Sequence, residues 1–422
     1  MRVEAGQQEE NETRMRTDLW RKLGRFLGLE RNLILFLGAV ILIGAGEETW
    51  MRFVPKYLEV LGAAAGVIGL YDAIKTLLGA VYAYPGGVVV DRWGHRRALV
   101  GFTSLSMPGY AVVLCFPRWE ALIGGMFLFL AWSSLSLPAM FSLVASRLGK
   151  EKHTMGIGIQ SLTKRVPVII GPIAGGLLID RYGFVAGVKI GLAISILLGA
   201  FSIWLQSRLE EDPSQALAGP ALGGNFLSIV RGFDPRMRRL LFSDILIRFC
   251  ERIPYAWVVI YAVDRGGASA TEVGALIAVE TFVAMACYVP AAHLADRYGK
   301  EPFVIATFLF FTVFPLTLLI AHNFETLLIA FAVRGLKEFG DSARKALIIE
   351  YSGRESRGRS IGAYYLIRDV IVSSGALLGA LLWKFGPEIN FLGAAAFGAL
   401  GTLGYVMSRS KVAAEAPRDS AE

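Results

Sequence analysis

Glu47 and Glu48 close a run of residues 33–46, LILFLGAVILIGAG, that holds no other charge. Asp72 and Lys75 interrupt the next apolar run, and Lys164, Arg165, Glu251, Glu280, Arg334, Glu338, Asp341, Arg368 and Asp369 interrupt later ones. An ionised side chain facing hydrocarbon at such depth is costly, so each should face a protein interior or a wet cavity. Two kinds of chemistry follow. Carboxylates held together where water is scarce share protons. Glu47 and Glu48 stand roughly 22 Å by helix rise from the start of their run, and Asp72 on the returning run should lie at similar depth, one turn from Lys75. This is a candidate proton carrier, or else a set of structural pairs with Lys75 or Arg52. Glu251 repeats Glu47 at an offset of 204 residues, and Glu280 is a further candidate. The second chemistry is anion binding. Lys164 and Arg165 sit about two turns from one end of their run, opposite a run without acids, and are the leading anion ligands unless they reach Glu47 or a lipid phosphate.

These positions must be held by a membrane fold. Of 422 residues, 54% are hydrophobic and the mean hydropathy is +0.51, more apolar surface than a soluble core of this length can hide. At roughly 20 residues per crossing, twelve spans are predicted: 32–51, 64–86, 99–116, 121–145, 156–179, 185–206, 240–263, 273–293, 303–321, 326–350, 361–383 and 389–407. The chain is duplicated. GGVVVDRWGHRR at 86–97 recurs as AAHLADRYGKEP at 291–302, and at an offset of 204 Gly149, Glu151, Gly158 and Lys164 meet Gly353, Glu355, Gly362 and Arg368. The expected fold is all-α, with twelve transmembrane helices in two six-helix pseudo-symmetric halves, a construction used by secondary transporters with the substrate site between the halves. The halves are 32–206 and 240–410. A cytoplasmic linker, 207–239, is rich in acids, Pro and Gly; residues 1–31 form a tail whose stretch 18–29 reads as a basic amphipathic helix on the inner leaflet; and 411–422 reads as a disordered tail.

With the N-terminus cytoplasmic, the inner segments carry 26 Lys and Arg and the outer connections 6. That bias predicts an inner-membrane, multi-pass chain with both termini cytoplasmic. The pI near 9.4 reports the same bias and not nucleic-acid binding. The first 16 residues hold Glu4, Glu9, Glu10 and Glu12 and no apolar core, so no secretory leader is expected. Cys115, Cys250 and Cys287 lie in spans at no metal-ligand spacing, and no metal site is expected.

Charge is unevenly distributed among the spans. Spans 3, 4, 9 and 12 hold none, and span 6 only Lys189, whereas spans 1, 2, 5, 7, 8, 10 and 11 hold the rest. Every third helix can therefore be peripheral. In span 10, Arg334, Glu338, Asp341 and Lys345 follow i, i+4, i+7 and i+11 and would share one helical face. With Arg368 and Asp369 of span 11 they either bind substrate or cross-link the second half internally.

At this point the sequence resembles the major facilitator superfamily, over about residues 32–408. The family's loop motif between helices 2 and 3 is matched by Gly87, Asp91, Arg92, Gly94 and Arg96, with Arg97 following and His95 in place of one basic residue; Asp296, Arg297, Gly299 and Lys300 form a degenerate copy. An acid at a helix end beside arginines can hold a neighbouring helix in one state and release it in another, so these residues are gating candidates. In span 5, Gly158, Gly171, Pro172, Gly175 and Gly176 match the superfamily's antiporter signature, with Pro167 replacing one glycine. Small residues there allow close helix packing, and in the family the signature accompanies proton-driven export. The resemblance implies a secondary active transporter of a small organic solute working by alternating access, as a proton-coupled antiporter. The alternatives are a uniporter or symporter of an organic anion, or a lipid flippase. The expected partners are the solute, protons and membrane lipids, with no cofactor and a monomeric state. No hydrolase, metalloprotease or P-loop pattern appears, which argues against an enzyme.

Overall fold

The computed structural model describes residues 31–147, 153–210, 226–352 and 357–415, which are helices and the short turns between them. The amphipathic stretch 18–29 and most of the tail after 410 lie outside the described residues. The twelve spans are arranged as two repeated halves. Nine described helices contain a window long and apolar enough to cross a membrane. The described parts of spans 5, 7 and 10 do not: span 10 is divided into helices of 12 and 11 residues, span 5 carries Lys164, Arg165, Asp180 and Arg181, and span 7 carries Asp244, Arg248, Glu251 and Arg252.

Breaks in the helices fall where charges or turns require them. Span 1 runs Arg31–Glu48, turns, and continues as Met51–Phe53 and Val54–Val60. The turn is tightened by the Thr49 hydroxyl, which donates to the Gly46 carbonyl (2.6 Å), while Pro55 cannot donate back into the helix. Spans 2 and 3 form one helical stretch, Ala65–Cys115, interrupted only at Gly94, which takes φ 77°. Between Ala270–Tyr298 (span 8) and Lys300–Leu319 (span 9), Gly299 takes φ 93°. The glycine repeated in the duplicated segment thus performs the same left-handed reversal in both halves, a conformation any Cβ disfavours. The predicted loop 91–98 is correspondingly helical on both sides of one residue.

Spans 4, 5 and 6 are Trp119–Arg147, His153–Tyr182 and Phe184–Ser207. Span 7 begins earlier than residue 240, at Pro235, because Asp234 caps it by accepting from the Arg236 amide at 2.7 Å and proline suits a first turn. It comprises Pro235–Tyr255 and Trp257–Asp264, preceded by a short helix Phe226–Arg231. Span 10 comprises Phe324–Gly335, the tight turn Leu336–Glu338 and Asp341–Tyr351. Spans 11 and 12 are Arg357–Trp383 and Pro387–Glu415, the last running beyond residue 410.

The core is shared at one end and divided at the other. Far from the termini, Trp50, Tyr57, Tyr110 and Phe129 of the first half belong to the same buried cluster as Trp257, Tyr261 and Phe391 of the second. Towards the termini each half has its own cluster, one around Phe36, Phe102 and Trp132 and one around Phe233, Phe308 and Tyr364. Span 5 meets span 8 so closely that a methyl at Gly176 would overlap the Ala270 carbonyl, and one at Gly274 the Pro172 carbonyl. Span 2 meets span 11 in the same way, Gly69 against Ala376 and Ala380. Asp180 of the first half accepts from the Ala270 and Thr271 amides (2.9 and 2.8 Å), satisfying two unpaired donors at the start of span 8, while Ser269 and Glu272 form a capping box beside it. Lys56 pairs with Asp264 across the same end.

Candidate functional site: a charged cavity between the halves

Where the shared core ends, the two halves enclose a cavity of about 150 Å³. It is small against the roughly 300–1,000 Å³ that holds drug-sized ligands. Span 1 contributes Glu48 and Arg52 at its break, span 2 contributes Tyr71, Asp72 and Lys75, and the second half contributes Tyr255, Glu280 and Arg334. Both halves therefore furnish charged groups to one site.

Each acid on the wall already has a cation. Arg52 donates to Glu48 at 2.7 Å, Arg252 reaches Asp72 at 3.2 Å across the halves, and Glu280 holds both Arg334 and Lys337 at 3.2 Å. The expected shared cluster of Glu47, Glu48 and Asp72 is not formed, because helix rotation gives each its own partner. Glu47 points away from the cavity, is 8% exposed, and accepts a hydrogen bond from the Tyr110 hydroxyl at 2.5 Å. It makes no ion pair among the described residues. Lys75 likewise makes none, although it lines the cavity.

From Glu280 a continuous ionic chain descends through the second half. Lys337 joins Glu280 to Glu251 (3.0 Å), Arg248 takes Glu251 (2.7 Å) and approaches Asp244 and Asp341 (3.8 Å each), and Arg344 joins Asp244 (2.7 Å) to Asp341 (2.5 Å). Arg368 adds Asp244 at 3.3 Å and Asp369 at 2.7 Å, and Tyr364 donates to Asp244 at 3.0 Å. Glu251 is therefore doubly paired and not a second Glu47. The single face expected for span 10 is broken at 336–340, where Gly340 lies against the Phe303 carbonyl. Arg334 consequently faces the cavity, whereas Asp341 and Lys345, paired at 2.6 Å, belong to the lower network. Buried pairs of this kind contribute little net stability but make the loss of either partner costly.

In span 5, Lys164 makes no ion pair among the described residues, and Arg165 reaches Glu338 of the other half at 3.8 Å. A methyl at Gly171 would crowd Glu48 and one at Gly175 the Thr49 backbone, so Gly171 and Gly175 face span 1 as Gly176 faces span 8. At the end near the termini, Arg92, Arg96, Arg97, Asp296 and Arg297 are exposed, with Arg297 over the Tyr298 ring. The side chains of Gly87, Asp91 and Gly158 lie outside the described residues. Tyr71, Tyr110, Asp180 and Arg252 complete the site and its closure but were not singled out from sequence. Arg252 alone carried a signal, as an intramembrane charge; a tyrosine in an apolar span carries none.

A family model described as Major Facilitator Superfamily matches residues 35–267 and 240–422. The multidrug resistance protein MdtG of Escherichia coli is 24% identical over 371 residues, covering 84% of this chain and 88% of that protein. Among solved structures, a POT family transporter in complex with 5-aminolevulinic acid superposes with TM-score 0.75 at 11% identity, over 90% of this chain and 96% of that one. The nucleoside transporter NupG gives 0.73 at 13%, over 89% and 99%. A bacterial homologue of the iron transporter ferroportin, inward-facing, gives 0.71 at 15%, over 90% and 98%. At these identities the structures share the fold alone, whereas the family model covers the described helices of both halves. The chain belongs to the major facilitator superfamily, as a multi-pass membrane transporter and not an enzyme.

Proposed function

We propose that the protein is a proton-coupled antiporter that exports a small organic solute across the cytoplasmic membrane by alternating access. The observation that carries this reading is the cavity between the halves, lying beneath one shared core and above two separate ones. Such a pair of halves can rock about a central site. The Lys and Arg bias puts the termini, and with them the parted end, on the cytoplasmic side. The name of the relative MdtG and the glycine signature of span 5 support export.

Glu47 is the proton carrier in this reading. Glu48 and Asp72 would have to break ion pairs to take up a proton, whereas Glu47 makes no ion pair among the described residues: its hydrogen-bond donor is the neutral Tyr110 hydroxyl, and Lys75 acts on it only at longer range. In proteoliposomes an imposed pH gradient should drive accumulation of a transported solute. Glu47→Gln should abolish that accumulation while leaving solute exchange at equal pH intact. Coupling that survives in Glu47→Gln would remove this assignment.

Gly87, Asp91, Arg92, Gly94, Arg96 and Arg97, with Asp296, Arg297 and Gly299, form the gating loops of this reading. Asp91→Asn is expected to insert normally, since topology depends little on Asp, but to slow exchange. Wild-type exchange rates in that variant would discount the latch.

A further inference from the structure

The geometry points to Tyr71 and Lys75 as an anion-recognising subsite of the cavity, and to a soluble organic anion of compact size as the solute: a carboxylate, sulfonate or phosphate on an apolar body. This assignment rests on the transport reading above. The two residues are four apart on span 2 and so share a helix face. Both line the cavity. Tyr71 is 3% exposed and its hydroxyl has no hydrogen-bond partner among the described residues, a state that buried polar groups rarely keep. Lys75 makes no ion pair among the described residues, and its charge acts on Glu47 and Tyr255 only at longer range.

The remaining charges of the wall are committed. Glu48, Asp72 and Glu280 are neutralised by Arg52, Arg252, Arg334 and Lys337, the second and fourth of which come from outside the lining. Among the cations of the wall, Lys75 is therefore the one without an ion pair to a described residue. An oxyanion beside Lys75 would accept from its ammonium in a charge-assisted bond of the strong kind, and from the Tyr71 hydroxyl once that enclosed group turns towards the cavity. An incoming ammonium would find no uncommitted carboxylate on the wall and would be repelled by Lys75. The rest of the lining, Met51, Pro55, Val259 and Ile277, suits an apolar body, and the volume suits a single ring.

Purified full-length protein can be tested by isothermal calorimetry and thermal shift with benzoate, benzenesulfonate and phenyl phosphate, using benzylamine and benzamide as the cationic and neutral counterparts. At least one anion should bind the wild type at millimolar concentration or below, and benzylamine should not. Lys75→Gln should weaken that binding by roughly 10- to 100-fold, the loss of one charged hydrogen bond. Tyr71→Phe should weaken it less, and Lys75→Arg should restore it. The melting temperature of each unliganded variant shows that it is folded. Equal binding by Lys75→Gln, preference for benzylamine, or no binding of any of the three anions would overturn the proposal. Anion affinity that falls as phosphatidylglycerol replaces phosphatidylcholine in nanodiscs would assign the site to a lipid headgroup and overturn it as a solute site. Exchange assays in proteoliposomes separate the two readings. Benzoate that binds through Lys75 but is never exchanged leaves the subsite standing and removes transport; benzylamine exchanged without anion binding does the reverse.

Discussion

Asp244→Ala is expected to cost about 3–5 kcal/mol of stability, the penalty for stripping one partner from buried ion pairs, and so to remove most of the folded protein. Asp244 is 1% exposed and serves Arg344 at 2.7 Å, Arg368 at 3.3 Å, Arg248 at 3.8 Å and the Tyr364 hydroxyl at 3.0 Å. It ties spans 7, 10 and 11 together at the end near the termini, where the second half has only its own core. Without it, Arg344, itself 2% exposed, keeps Asp341 alone against two neighbouring guanidinium groups. Asp244→Asn keeps the volume but not the charge and should lose much of the same stability. Asp369→Ala, whose side chain is 33% exposed, should fall within about 1 kcal/mol of wild type. Thermal unfolding in detergent, followed by tryptophan emission, reads all three. An Asp244→Ala protein that melts with the wild type would show that the network is not structural.

The second large effect concerns two adjacent glycines with different neighbours. Gly175 faces Thr49 within its own half, whereas Gly176 faces Ala270 and Thr271 of the other. Gly175→Ala should therefore strain the first half itself and lower its stability by about 1–3 kcal/mol, as overpacking does. Gly176→Leu should instead wedge the halves apart where Asp180 caps span 8, moving the population towards the state open at that end. Gly274→Leu, which meets the Pro172 carbonyl from the opposite side, should do the same. Spin labels on exposed Ala64 and Phe385, one in each half at that end, would report the change as a longer distance distribution. Asp180→Ala should act in the same direction more weakly, since it removes two hydrogen bonds without adding bulk. An unchanged distance in both leucine variants would mean that the contact between spans 5 and 8 does not govern opening.

The composition, the twelve apolar runs and the repeated Asp-Arg-x-Gly segment were enough to establish a duplicated helical membrane fold. These are local properties: hydropathy over some 20 residues makes a crossing, and a glycine where a chain must reverse with positive φ can be recognised twice. The presence of charges at depth was equally legible, because an acid in an apolar run is visible without its partner. Which partner it takes was not. Asp72 and Arg252 lie 180 residues apart and meet only because spans 2 and 7 face each other across the halves. Glu47 and Glu48 are adjacent in sequence, yet a helix turns successive side chains by about 100°, and one faces Tyr110 while the other faces Arg52 and the cavity. The stripe expected on span 10 failed for a related reason: the approach of Phe303 to Gly340 breaks the helix and sends its two ends to different networks. Periodicity along one helix determined what could share a face; the crossing of separate helices decided which charges pair with each other and which, Glu47, Lys75 and Lys164, make no ion pair among the described residues.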